Sequence, residues 1–234
     1  MQQNSYHIQG PQIQQFNNVA PNPIPRSVFK RDFTRRTTFN ADYLVPIFLD
    51  EILPGDEVDI GMTALTRMST PIKPLMDNLY QETFWFFIPN RIVWPNWEKL
   101  QGEQINPGDS VNYLVPVLNA LQEPFLSGVQ VESFYDYMGL PTQVPGLQNI
   151  TSLFARAYYA IWNDWFRDEN LQNSLVYPTD DGPDNPSIYS LKRRNKRKDY
   201  FTSMLPWPQK GNPVTISLGT SAPVTGIIAL NNLS

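Results

Sequence analysis

The chain has 234 residues, 41% of them hydrophobic, 17% charged and 13% aromatic, with 22 prolines, no cysteine, one histidine and a net charge of −4. Aromatic-rich, charge-poor composition excludes a wholly disordered chain, and this much proline excludes a helical bundle, since each interior proline costs a helix about 3 kcal/mol. The lack of cysteine excludes disulfides, thiolate nucleophiles, iron–sulfur clusters and Cys-ligated zinc, and the single His7 builds neither a catalytic triad nor a multi-histidine metal site by itself.

Residues 1–25 are dominated by Gln and Asn and punctuated by Pro11, Pro21, Pro23 and Pro25. They read as a polar N-terminal arm, with neither the basic start nor the apolar core of a secretory signal. Residues 26–40 carry a first basic segment interleaved with Phe29, Phe33 and Phe39. Leu44–Leu49 is a short apolar run that Pro46 restricts to an edge or extended segment. Leu53-Pro-Gly-Asp56 predicts a type II turn. Residues 57–68 alternate through Val58, Ile60 and Met62, which predicts a half-buried strand with a bulge near Gly61 or Ala64. Residues 79–88, with Tyr80, Thr83, Phe84, Trp85, Phe86 and Phe87, give the strongest strand signal, apolar on both faces and therefore covered on both sides or packed at an interface.

Pro89 ends that strand. Residues 91–102 predict a short helix with Trp94, Trp97 and Leu100 on one side and Pro95 confined to its first turn. Residues 103–148 are loop, with short helical turns expected around 131–138. The longest helix is expected over 151–171, capped by Asn149 or Thr151, with an aromatic face of Phe154, Tyr158, Ile161, Trp162, Trp165 and Phe166. A Pro/Asp/Gly loop over 177–189 precedes a second basic run, and Val214–Leu218 and Ala222–Leu230 predict two further strands. Altogether the pattern is mainly β, with long loops and inserted helices, which suits a sandwich or jelly roll. No apolar run approaches the roughly 20 residues of a membrane helix.

The charge is unevenly placed. Arg26, Lys30, Arg31, Arg35 and Arg36 give residues 26–36 a net +4, and Lys192, Arg193, Arg194, Lys196, Arg197 and Lys198 give 192–198 a net +6. The rest of the chain holds seven basic and 21 acidic residues. Such concentration points to local contact with a polyanion, and these eleven residues are the candidate nucleic-acid contacts. Tyr200, Phe201 and Trp207 stand close enough in sequence to stack on unpaired bases. The run 192–198 also fits a nuclear-localisation signal, a solvated loop or a contact with a neighbouring acidic surface.

Two acidic groupings have a chemical reading beside a plain one. Asp164, Asp168 and Glu169 suit a metal or an acid/base pair, or simply a solvated helix face offset by Arg167. Asp180, Asp181 and Asp184 suit Ca²⁺, but without EF-hand spacing and beside Pro183 and Pro186 they fit turn chemistry better. Neither is taken as a metal site. The sequons Asn149-Ile-Thr151 and Asn232-Leu-Ser234 carry no meaning without secretion. No phosphate-binding or dinucleotide glycine pattern is present, and no cofactor or enzymatic activity is expected.

Several blocks occur together and in order: Arg26-Ser-Val-Phe-Lys-Arg-Asp-Phe33, Thr37-Thr-Phe-Asn40, Tyr43-Leu-Val-Pro-Ile47, Glu51-Ile-Leu-Pro-Gly-Asp56, Met76-Asp-Asn-Leu-Tyr80, Phe86-Phe-Ile-Pro-Asn-Arg91, Trp97-Glu-Lys99, Trp162-Asn-Asp-Trp-Phe-Arg-Asp-Glu-Asn170, Asp199-Tyr-Phe-Thr-Ser203 and Leu205-Pro-Trp-Pro-Gln-Lys-Gly211. Over residues 26 to 211 they resemble the major capsid proteins of microviruses, most closely the gokushovirus branch. The resemblance implies a viral jelly-roll β-barrel with long inserted loops, built into a T=1 icosahedral shell around circular single-stranded DNA. Family members are much longer, so residues 26–234 would be the N-terminal part of an incomplete barrel. The implied partners are other copies of the chain, packaged single-stranded DNA and further virion proteins. The implied location is the virion, with assembly in the host cytoplasm. The alternative is a nucleic-acid-binding protein acting outside a shell through 26–36 and 192–198.

Overall fold

A computed structural model describes residues 26–109, 112–195, 199–201, 203–204, 211 and 219, in two units spanning 1–37 and 38–234. In the first unit, residues 26–37 have no regular secondary structure and are exposed, with Lys30 and Asp32 paired at 2.8 Å. The arm expected over 1–25, the strands expected over Val214–Leu218 and Ala222–Leu230, and Lys196, Arg197, Lys198 and Trp207 lie outside the described residues.

Helices in the second unit are short: α1 (Asn90–Val93), α2 (Trp97–Leu100), α3 (Phe134–Tyr137) and α4 (Leu153–Ile161), the last continuing into a π-helical turn over Trp162–Phe166. A 3₁₀ turn covers Pro186–Ile188. The single helix expected over 91–102 is thus two separate turns. Pro95 has no N–H to give and clashes with a helical predecessor, so Trp94 turns extended at φ −151° and the helix restarts after it. Trp94 is buried and Trp97 and Leu100 pack on the same cluster, so the apolar side of the segment is as expected although its backbone is not.

α3 forms where helical turns were expected, with the Ser133 hydroxyl accepting from the Asp136 N–H at its start. α4 is shorter than the helix expected over 151–171. The Thr151 hydroxyl accepts from Leu153 N at 3.3 Å, but Asn149, left-handed at φ 56°, takes no capping role. At the other end the π turn closes through Arg167 N to the Trp162 carbonyl, and Arg167 is extended. The Asp168 carbonyl then accepts from both Leu171 and Gln172, so residues 168–172 form a turn of their own.

The faces of α4 also differ from the aromatic stripe expected. At about 100° per residue, Leu153 and Ala160 share one face and Ala155 and Tyr159 another. The first packs with Val93 and Trp94. The second packs with Leu118, Phe125, Val129, Phe134, Tyr135 and Tyr189. Arg156 lies between the two faces and is fully buried. Phe154 belongs to neither core, Tyr158 is half-buried, and Trp165 is 64% exposed.

Among the described residues the backbone pairs only through isolated bridges. Tyr43 pairs antiparallel with Arg193 and Val117 with Thr151, while Leu118 pairs in parallel with Asp184 and Val129 with Thr142. Residues 116–119 thereby join 150–152 on one side and Asp184 on the other, through bonds such as Leu118 N to Ile150 O (2.8 Å) and Asp184 N to Val117 O (2.8 Å). The turn at Leu53–Asp56 forms as expected, with Gly55 at φ 91° and Asp56 N donating to Leu53 O at 3.0 Å. The two stretches expected as strands, 57–68 and 79–88, form no regular secondary structure, and no backbone–backbone hydrogen bond joins them to another described residue. Among the described residues the alternation that signalled them has no ladder, because a strand needs a neighbour and the periodicity supplies only half of the pair.

Tyrosine hydroxyls do much of the stitching that a sheet would otherwise do. Tyr135 donates to the Pro186 carbonyl at 2.7 Å, Tyr137 to Thr38 O at 2.8 Å and Tyr158 to Leu44 O at 2.9 Å. Tyr159 donates to Ile188 O and Tyr189 to the Asp184 carboxylate. Burial raises the phenol pKa of Tyr135, Tyr158 and Tyr189 well above the ordinary 10.0, with the Asp184 carboxylate adding to the effect at Tyr135 and Tyr189. The folded chain therefore keeps phenol protons that the unfolded chain loses above about pH 10. This contribution to stability is complete below the unfolded value and is lost as pH rises from there. We predict that alkaline titration shows tyrosinate absorbance from these rings appearing together with loss of helical ellipticity. Their ionisation at an ordinary pH in a still-folded chain would contradict the burial.

Candidate nucleic-acid interface

Lys192, Arg193 and Arg194 do not form a solvated loop. The Tyr43–Arg193 bridge fixes their backbone, with Leu44 N donating to Lys192 O at 2.9 Å and Arg194 N to Asp42 O at 2.7 Å. α4 holds the other side. The Tyr158 hydroxyl accepts from Lys192 N at 2.9 Å, and Trp162 Nε1 donates to Arg193 O at 3.1 Å.

The three side chains already have partners. Lys192 Nζ donates to Ser190 Oγ at 2.9 Å and lies 5.0 Å from the centre of the Tyr159 ring. The Arg193 guanidinium lies 5.2 Å over Tyr43, and the hydrogen bond to the Tyr43 hydroxyl raises its pKa further. Arg194 pairs with Glu82 and lies 5.3 Å over Phe84. Of the three, Arg193 is exposed, while Lys192 and Arg194 are half-buried. Residues 192–194 are therefore an anchored element. Arg26, Lys30, Arg31, Arg35 and Arg36 lie in the exposed, irregular stretch of the first unit. Tyr200 and Phe201 are exposed, with their rings edge-to-face at 5.8 Å.

Beside Arg194 is a cluster of rings that charge counting misses. Phe84 and Phe86, two apart in sequence, have ring centres 6.4 Å apart and planes within 22° of parallel. Phe166 meets both edge-on, at 5.3 and 5.9 Å, and Trp165 meets Phe86 at 5.9 Å. The Phe-x-Phe alternation was visible in the sequence. That the end of α4 and its π turn bring Phe166 and Trp165 against this pair was not.

The acidic loop is committed to structure. The Arg156 Nε and Nη2 atoms bind the two oxygens of Asp184 at 2.8 and 2.6 Å, a buried bidentate pair. The remaining Arg156 nitrogen donates to the carbonyls of Val93 (3.2 Å) and Asp180 (2.9 Å), and Tyr189 donates to Asp184 at 2.7 Å. Burial works to lower the Arg156 pKa, but the hydrogen bond and charge of Asp184, with Tyr189, outweigh it and leave the value raised. Asp181 instead accepts from Asn96 Nδ2 and Trp94 Nε1, both at 2.8 Å, which lowers its pKa. Gly182 makes this loop possible. It is left-handed at φ 73°, and a Cβ there would lie 3.3 Å from Asp184 N and 3.4 Å from Pro116 Cα. Asp180 accepts from Gly182 N at 3.1 Å and lies 3.7 Å from the same Arg156 nitrogen that binds Asp184, so two of the three carboxylates suggested for Ca²⁺ share one guanidinium and the third, Asp181, binds Asn96 and Trp94. At the other acidic grouping, Asp168 Oδ1 accepts from Asn170 N. Among the described residues no group of three or more His, Cys, Asp or Glu side chains is placed to hold a metal.

A family model described as Capsid protein (F protein) matches residues 17–233. The chain belongs to this capsid-protein family. It is 48% identical to Capsid protein VP1 of Bdellovibrio phage phiMH2K over 86% of its own length and 37% of that protein's. Identity to Capsid protein VP1 of Chlamydia phage 1 is 41%, covering 87% of the chain and 37% of the relative. Identity to Capsid protein VP1 of Spiroplasma virus 4 is 36%, covering 91% and 40% respectively. The resemblance to gokushovirus-like microvirus capsid proteins thus holds along most of the chain, while the chain spans about two-fifths of the length of these relatives. The matched region includes Arg156, Asp184, the 192–194 anchor and the ring cluster.

Within this capsid-family chain, Arg156 is the residue whose loss should be felt most. We predict that Arg156→Met, which leaves Asp184 buried and uncompensated, destabilises the fold by about 3–5 kcal/mol in chemical denaturation. Arg156→Met with Asp184→Leu should recover part of that loss. It should not recover all, since the Val93 carbonyl and the Tyr189 hydroxyl lose their partners as well. A single substitution no worse than the double one would remove the pair from its central position.

Proposed function

We propose that the chain serves as part of a structural shell subunit, a major capsid protein that assembles with copies of itself into a T=1 icosahedral container for single-stranded DNA, with no catalytic role. The observation that carries this reading is the surface of residues 57–88. In a member of a capsid family, these residues are without regular secondary structure, unladdered among the described residues, and rich in exposed Val, Ile, Met, Leu and aromatic side chains. Apolar surface on this scale belongs to a chain whose partners cover it. A jelly-roll barrel, to which residues 57–68 and 79–88 each contribute a strand, is the arrangement that would give both segments a ladder and cover both faces of 79–88. Assembly into virions within the host cytoplasm follows from the same reading.

The genome-facing role is assigned to the basic segments, Arg26, Lys30, Arg31, Arg35 and Arg36, and Arg193 with Lys196, Arg197 and Lys198. Lys192 and Arg194 position the second run. The same run supports the second reading, nucleic-acid binding outside any shell, which differs in requiring no closed assembly. Electron microscopy and sedimentation of the intact capsid protein under assembly conditions separate the two, because the shell reading expects closed particles of uniform diameter and monomers alone would defeat it. For the DNA contact, replacing Lys196, Arg197 and Lys198 with Gln should flatten the salt dependence of single-strand binding by about two in log–log slope, since each phosphate contact contributes about 0.7. An unchanged slope would remove the run from the DNA interface.

A further inference from the structure

Between Tyr43 and the start of α3 lies a cavity of about 300 Å³. Val45 and Leu191 line it with aliphatic surface and Tyr43 and Tyr137 with rings, and its polar groups are Asn40, Ser133 and Glu132. Glu132 is the one carboxylate among the lining residues, and it is held at both ends. Its backbone is left-handed at φ 60°, a conformation that a residue with a Cβ rarely adopts, and its N–H donates to Asp136 Oδ2 at 2.7 Å. Its Oε1 accepts from the Thr38 hydroxyl at 2.9 Å. Among the described residues no Lys or Arg pairs with it. A fixed carboxylate without a counter-charge thus opens onto a half-apolar cavity.

That lining selects among ligands. A neutral alcohol fills the space but leaves Glu132 unmatched. A divalent metal calls for more charged oxygens than one carboxylate gives. A guanidinium binds best with both carboxylate oxygens in its planar fork, and here Oε1 already takes the Thr38 hydroxyl. An ammonium acts as a point charge and needs one oxygen, while the Asn40 and Ser133 side chains offer oxygens for its other N–H groups. An aliphatic stem behind it covers Val45 and Leu191, as lysine stems do on apolar surface. The Arg193 guanidinium already lies over the Tyr43 ring, so a second cation belongs at Glu132 and not on that ring. We propose that this cavity seats a primary alkylammonium group, a free amine or the lysine side chain of another copy of the chain, with its charge at the Glu132 carboxylate. The site is independent of the shell and DNA readings.

The test is an amide chemical-shift titration of the 234-residue chain with n-butylammonium, n-butylguanidinium and n-butanol at one ionic strength. Shifts are expected at Glu132, Ser133 and Leu191, with n-butylammonium binding about fivefold more tightly than n-butanol, the scale of one solvent-reachable ion pair. Glu132→Gln should bring those two affinities within about twofold of each other. Absence of shifts at these residues, or equal binding of the amine and the alcohol by the unaltered chain, overturns the proposal; this comparison needs no variant to fold. Tighter binding of n-butylguanidinium, or an amine preference that survives Glu132→Gln, overturns it as well. Sedimentation equilibrium then distinguishes the two sources, both of which uphold the site. Self-association that n-butylammonium competes away and Glu132→Gln weakens identifies a lysine of another copy, and self-association indifferent to both identifies a free amine.

Discussion

The guanidinium of Arg156 lies out of solvent between two apolar clusters, and the second unit can close around it only because Asp184 meets it with both oxygens. An unmatched charge at that depth would cost several kcal/mol. Once matched, the pair becomes a device for specifying one arrangement. Its fixed fork geometry ties α4 to the loop at 180–184, the Val93 carbonyl ties it to α1, and Tyr189 ties Asp184 to the segment that leads into the basic run. Hydrophobic burial alone would tolerate several packings of these short elements, whereas a bidentate pair with matched backbone carbonyls tolerates very few. The orientation of residues 192–194 thus descends from a helix residue some 36 positions earlier.

Around that pair the architecture relies on side-chain tips where most proteins of mixed structure rely on ladders. Tyr135, Tyr137, Tyr158, Tyr159 and Tyr189, with Trp94 and Trp162, each put a ring into or against a core and a polar tip onto a backbone carbonyl or a carboxylate. Each such bond contributes only about 1 kcal/mol net, but the ring that carries it contributes far more through burial. The combination lets long irregular segments such as 112–150 and 175–194 hold defined paths with almost no regular backbone pairing.

Much of this was readable from the residues, and the parts that were not have physical causes. The turn at 53–56, the helical turn near 134–137 and the existence of α4 follow from local rules that need no partner. Pro95 forces Trp94 extended, which splits into two turns the one helix that the spacing of Trp94, Trp97 and Leu100 predicts. The π turn left no trace in periodicity, because adding one residue to a helical turn changes which side chains emerge without changing composition. Arg156 looked like an ordinary helix residue and Asp184 like a member of an acidic loop. They are 28 positions apart, and nothing local records that the fold brings them together. The basic run was legible as charge. The anchoring of its first residues depends on Tyr43, Glu82 and Phe84, which come from distant segments.

The stretch 57–88 shows what local pattern cannot supply. Its alternation fixes which side chains share a face, but a strand's stability lies in the neighbour, through cross-strand pairs and backbone bonds that a single segment cannot make. Unpaired backbone groups are harmless while water reaches them and expensive once an apolar surface closes over them. Any partner that covers the exposed Val58, Ile60 and Met62 face must therefore also bond this backbone, or leave its polar groups in contact with solvent along the edge. Coverage and laddering are thus coupled. That coupling favours a partner that adds a strand over one that merely lays an apolar face across the segment, and it gives the proposed jelly roll a physical reason independent of kinship.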